Sequence, residues 1–229
     1  MAKHIYPSDE KQNWRDYILG LLTADVTYKI VNDDGTLVYK WLEPIGTDAL
    51  PFDFLLSTKR IKQSQLIGID RDPNDLVGSK DNIENCKKKF PNAKFYCKEW
   101  DFFCEYGASN DIGEYEAPND IGYIIHDLFD GADGKKFEKN LTATIHLANK
   151  CYKNIGEVFL VINTDLTAVN KRYGKTSSIS DFIKTIKSAF AKNSDVDNLK
   201  NITLSEKNIY QYKNSSRSDT MISACIMLH

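Results

Sequence analysis

Between residues 37 and 192 the chain alternates strand-like and helix-like segments, and this rhythm restricts the possible folds more than any other feature. Strands are predicted at 37–42, 65–70, 94–97, 121–126 and 157–163, and helices at 52–62, 79–89, 135–153 and 180–192. A helix between two strands carries the chain back across the sheet, so the strands it joins run parallel. Two further β-rich stretches, 203–212 and 220–228, lie too close together for such a crossover and read as an antiparallel hairpin. The expectation is an α/β protein on one seven-stranded, mostly parallel sheet, with helices on both faces and only the last strand reversed.

The residues before this rhythm read as an appendage. Ser8 or Asp9 can cap a helix in which Trp14, Tyr17, Ile18, Leu21 and Leu22 recur at three- and four-residue spacing. Two β-rich runs, 27–31 and 36–42, flank Asn32-Asp33-Asp34-Gly35, a hairpin signal; the second run serves equally well as the first strand of the large sheet. Residues 1–35 are therefore expected to form an added helix and β segment, and residues 36–229 the α/β domain.

Composition narrows the partners. There are 30 basic and 32 acidic residues, so no whole-molecule field steers the chain to nucleic acid or membrane. The acidic excess lies in residues 1–150, and residues 151–229 are net basic, which puts any polyanion contact in the last third. Apolar runs such as 158–162 are strand-length, and the first ten residues lack the apolar core of a signal peptide, so a cytoplasmic protein without membrane contact is expected. Five cysteines without C-x-x-C spacing read as small buried hydrophobes rather than a disulfide framework or metal site.

In open parallel sheets, ligands bind beyond the carboxyl ends of the strands, near the point where strand order reverses. The first four predicted strands end at Glu43, Asp70, Asp101 and Asp127. Any one of these would serve as a helix cap; four in succession point to a ligand site. A carboxylate such as Asp70 can accept two hydrogen bonds from a vicinal diol, and one such as Asp101 suits an amine donor. Trp100 or Phe102 beside it can stack on a ring, with core packing the plainer reading for Phe102.

The segments Leu42-Glu43-Pro44-Ile45-Gly46-Thr47-Asp48, Leu66-Ile67-Gly68-Ile69-Asp70, Glu99-Trp100-Asp101-Phe102-Phe103 and Ile124-Ile125-His126-Asp127-Leu128-Phe129 together resemble the four motifs of class I S-adenosylmethionine-dependent methyltransferases. The resemblance spans roughly residues 36–228. It implies a Rossmann-like methyltransferase domain with S-adenosylmethionine as cofactor. Glu43, Gly46 and Asp48 would lie at the methionine end, Asp70 at the ribose, and Trp100, Asp101 and Phe102 at the adenine. The fourth motif would face the reacting atom, with His126 and Asp127 as catalytic candidates. The first loop departs from the family pattern: only Gly46 remains of its glycines, and Asp48 stands near an expected glycine.

The fourth motif is not D-P-P-Y or N-P-P-Y, and no Pro-Cys nucleophile is present, which disfavours two familiar routes to base methylation. Lys171, Arg172 and Lys175, after the fifth strand, are candidates for holding a phosphate-bearing substrate, so nucleic acid is the expected substrate class. A solvated loop explains them as simply, and a satisfied core histidine explains His126. The alternative function is a catalytically silent module of the same fold acting through RNA or protein contacts, suggested by the glycine-poor loop. A nicotinamide-dependent Rossmann enzyme is disfavoured by the lack of G-x-G-x-x-G.

Overall fold

Strand β1 (Lys40–Pro44) is central, and its neighbours set the architecture. The computed structural model describes residues 9–24, 28–45, 49–70, 79–109, 115–116, 118–127, 134–165, 178–214 and 219–229. On one side β1 pairs in parallel with β2 (Leu66–Asp70), which pairs with β3 (Lys94–Cys97). Farther along the chain the short strands β4 (Ala108–Ser109) and β5 (Tyr115–Glu116) form a separate two-stranded ribbon, which the sequence reading lacks. On the other side of β1, β6 (Ile121–Asp127) and β7 (Val158–Asp165) continue the parallel sheet. The closing hairpin is β8 (Ile209–Asn214) and β9 (Asp219–Leu228), with β9 inserted antiparallel between β7 and β8. The order β3-β2-β1-β6-β7-β9-β8 gives a seven-stranded Rossmann-like α/β sheet in which only β9 is reversed, as expected. Strand order reverses between β1 and β6, which fixes the switch point.

Helices cover both faces because alternate residues of each buried strand need apolar cover on opposite sides. Trp41 of β1 and Ile45 just after it, Tyr123 and Ile125 of β6, and Phe159 and Val161 of β7 pack beneath α1 (Asp9–Ala24), α2 (Leu50–Ser57) and α3 (Ser79–Lys89). Leu42, Ile124, Leu160 and Ile162 pack beneath α4 (Trp100–Tyr106), α5 (Gly134–Ile155) and α6 (Ile179–Asn193). Helix α1 belongs to the first core: Trp14, Ile18, Leu19 and Leu22 are buried, and the Trp14 indole N–H donates to Ser223 Oγ on β9 (2.9 Å).

Four local expectations change. The first strand begins at Lys40 rather than residue 37. The Asn32–Gly35 turn forms, with Gly35 at φ 77, but its hairpin shrinks to one bridge between Val31 and Leu37. The Gln65 side-chain amide donates to the carbonyls of Leu37, Val38 and Tyr39, taking acceptors that a longer ladder would use. Helix α2 stops at Ser57 because the Ser57 and Thr58 hydroxyls bond back to Phe54 and Leu55, and Lys59 turns left-handed (φ 60). Strand three ends at Cys97, so Asp101 sits in the first turn of α4 and not at a strand end.

Close packing predicts two sensitive glycines. A Cβ on Gly122 would meet Tyr39 Cβ at 2.7 Å, and one on Gly68 the Phe95 ring at 2.8 Å. Gly122→Ala and Gly68→Ala should each cost about 1–3 kcal/mol in urea unfolding. Gly20→Ala, on an exposed helix position with nothing within 4 Å, should be stabilising by roughly 0.5–1 kcal/mol.

Candidate active site at the carboxyl edge of the sheet

The carboxyl edge of β1, β6 and β7 carries a buried polar cluster on its α1 face. Glu43, near the end of β1, is fully buried. Arg15 Nη2 donates to its Oε1 (2.7 Å) and Trp41 Nε1 to its Oε2 (3.0 Å). Arg15 is itself buried. Burial alone would lower its pKa, but the charges of Glu43, Asp127 and Tyr212 and the hydrogen bond to Glu43 hold it above the ordinary value. Both oxygens of Glu43, expected at the methionine end of a cofactor, are thus engaged by the chain's own donors.

Across the switch point, Asp127 ends β6. Its Oδ1 accepts from Asn163 Nδ2 (2.7 Å), and the same nitrogen donates to the Tyr212 hydroxyl (2.8 Å). Tyr212 stacks on Trp14 (5.8 Å between centroids). Its phenol pKa is driven up by burial and then by the Asp127 charge. Asn163 is fully buried, whereas Asp127 is only half-buried.

His126 and Asp127, each a catalytic candidate, point to opposite faces because strand residues alternate. His126 is fully buried under α5. The Thr144 hydroxyl gives its one hydrogen to Asn140 O (2.7 Å), so it accepts from Trp100 Nε1 (2.8 Å) and from His126 Nδ1 (2.9 Å), which therefore carries a proton. Burial and this bond place the His126 ring in the core. Thr144→Val should cost about 1–3 kcal/mol more than Thr144→Ser in urea unfolding, since only the first strands these two donors.

Of Trp100 and Phe102, either of them expected to stack on a ring, the one expected to be core is the more exposed. Trp100 is core, while Phe102 is half-buried, with the Lys98 ammonium 5.2 Å from its ring centroid. Asp101 turns toward α5 and pairs with Lys139 (2.6 Å), whose pKa it raises. Asp70, half-buried at the end of β2, keeps its expected place, its Oδ2 accepting from Asn82 on α3 (2.7 Å). Gly46, Asp48, Lys171, Arg172 and Lys175 lie outside the described residues.

The sequence reading passed over Arg15 and Tyr212. The signal for Arg15 was its position: it shares the helix face of Ile18, Leu19 and Leu22, where a cation implies a buried partner. Four of the five cysteines are buried, and burial pushes the Cys151 and Cys225 thiols up to about 12, as expected of inert residues. Among the described residues, no group of three or more His, Cys, Asp or Glu could hold a metal ion, and no helix is long and apolar enough to cross a membrane.

No family model matches the chain, and no curated protein matches it. Among solved structures it is similar to the selenomethionine-substituted CurJ carbon methyltransferase, at 10% identity and a TM-score of 0.43 over 97% of this chain. It is also similar to an O-methyltransferase family 2 protein from Planctomyces limnophilus DSM 3776 in complex with apigenin, at 13% identity and a TM-score of 0.40 over 93% of this chain. The chain spans 61% of the length of each of these proteins.

Proposed function

We propose that the protein is an S-adenosylmethionine-dependent methyltransferase, with Asp70 as the ribose-binding carboxylate. The supporting observation is the placement of Asp70: it ends β2, one strand from the switch point, half-buried and oriented by Asn82. A carboxylate so placed can receive both hydroxyls of a ribose. Phe102 offers the ring face for adenine on the β3 side. When bound, the cofactor supplies an electrophilic methyl group on a sulfonium. The chain's part is to orient it and to place an acceptor beside Asp127. Lys171, Arg172 and Lys175 are the proposed contacts to a phosphate-bearing substrate, with nucleic acid the class they suit.

One observation favours a second reading, the catalytically silent module: Glu43 has both oxygens occupied by Arg15 and Trp41. Calorimetry with S-adenosylmethionine and S-adenosylhomocysteine separates the two. Binding of either supports the enzyme; no heat from either at high concentration supports the silent module. Asp48→Gly sharpens the comparison. If Asp48 blocks the pocket, the substitution creates binding where none existed; if it meets the cofactor ammonium, affinity is kept or falls.

A further inference from the structure

The amide of Asn163 has one side committed and one side open. Its Nδ2 donates to both Asp127 and Tyr212, whereas among the described residues its buried Oδ1 has no hydrogen-bond partner. Flipping the amide would set its oxygen against the Asp127 carboxylate, so the orientation is locked. A buried acceptor left without a donor costs about 1–3 kcal/mol, and a native fold keeps one only where something else satisfies it. Arg15 Nε, in the same cluster, is a second buried polar atom without a hydrogen-bond partner among the described residues.

We infer that Asn163 binds the group to be methylated and that this group is a nitrogen or oxygen bearing a hydrogen. The inference rests on the methyltransferase reading above. Asn163 lies opposite Asp127 in the β6–β7 register, across the switch point from Asp70. A ligand spanning the crevice from the β2 side thus brings its reacting end toward these residues. An N–H or O–H acceptor satisfies Asn163 Oδ1 and passes the half-buried Asp127 to reach it. A carbon nucleophile has no such hydrogen to offer. Tyr212, which does not meet the acceptor, holds the amide in register.

The test needs no substrate. Sinefungin carries an amine-bearing carbon where S-adenosylmethionine carries its methylsulfonium, so it projects an N–H donor toward the acceptor side; S-adenosylhomocysteine has none. Calorimetry on the full chain should show sinefungin binding roughly 10- to 100-fold more tightly than S-adenosylhomocysteine. Asn163→Leu should reduce that preference at least about tenfold and leave affinity for S-adenosylhomocysteine within about twofold. Tyr212→Phe, which keeps Asn163 and only loosens it, should reduce the preference several-fold and serves if the leucine variant does not fold. An unchanged preference in the folded variants, with S-adenosylhomocysteine still bound, overturns the assignment, leaves Asn163 Oδ1 as the seat of a buried water and spares the methyltransferase reading. Binding of neither probe by any of the proteins removes both.

Discussion

Arg15→Met should destabilise the protein by about 3–5 kcal/mol, the cost of leaving a buried charge without its partner. Glu43 would remain fully buried with only the Trp41 indole to satisfy it. The companion measurement is the double variant Arg15→Met/Glu43→Gln. Removing both charges should recover most of the loss, because a neutral amide needs no counter-ion and methionine keeps the apolar stem of the arginine. Urea unfolding of wild type, single and double variants gives the coupling directly. A single variant within about 1 kcal/mol of wild type would show that water reaches the pair and screens it.

Asp70→Ala should weaken cofactor binding by about 1.5–3 kcal/mol for each charged hydrogen bond lost. Two bonds to a ribose diol make that at least a hundredfold in affinity, roughly 3 kcal/mol or more. Stability should change far less, because Asp70 is half-buried at a strand end and its named partner, Asn82, lies on α3 near solvent. Calorimetry and urea unfolding on the same variant separate the roles. Unchanged affinity with a large stability loss would make Asp70 a tether for α3.

What could be read in advance was local. Helix α3 and strand β3 fall where the sequence puts them, since Ser79 opens the helix, Lys87–Lys89 complement its dipole and Phe90-Pro91 ends it. Helix α4 was hidden because Trp100-Asp101-Phe102-Phe103-Cys104 is rich in residues that favour strands, and its helix is short and held by packing on α5. The position of Asp70 was legible because a strand followed by a polar loop is a local pattern. The partners were not. Arg15 meets Glu43 across 28 residues and Asn163 meets Tyr212 across 49, contacts that only the assembled sheet creates. The division between His126 and Asp127 follows from strand alternation, yet the burial of His126 depended on α5 and Thr144.

The hydrogen bond between Trp14 and Ser223 spans 209 residues of chain. Helix α1 is made well before the β9 strand and the tyrosines of β8 on which it rests. At about 5–20 residues per second, the ribosome leaves the apolar stripe of this helix without its final cover for roughly ten seconds or more. Through that interval Trp14 lacks the Tyr212 ring and the Ser223 hydroxyl. Closing so long a loop makes the contact of α1 with β9 a slow one to form. A chain interrupted before residue 209 would keep β1, β6 and β7 beneath this helix and lose the Ser223 hydroxyl and the two tyrosine rings that complete its seat.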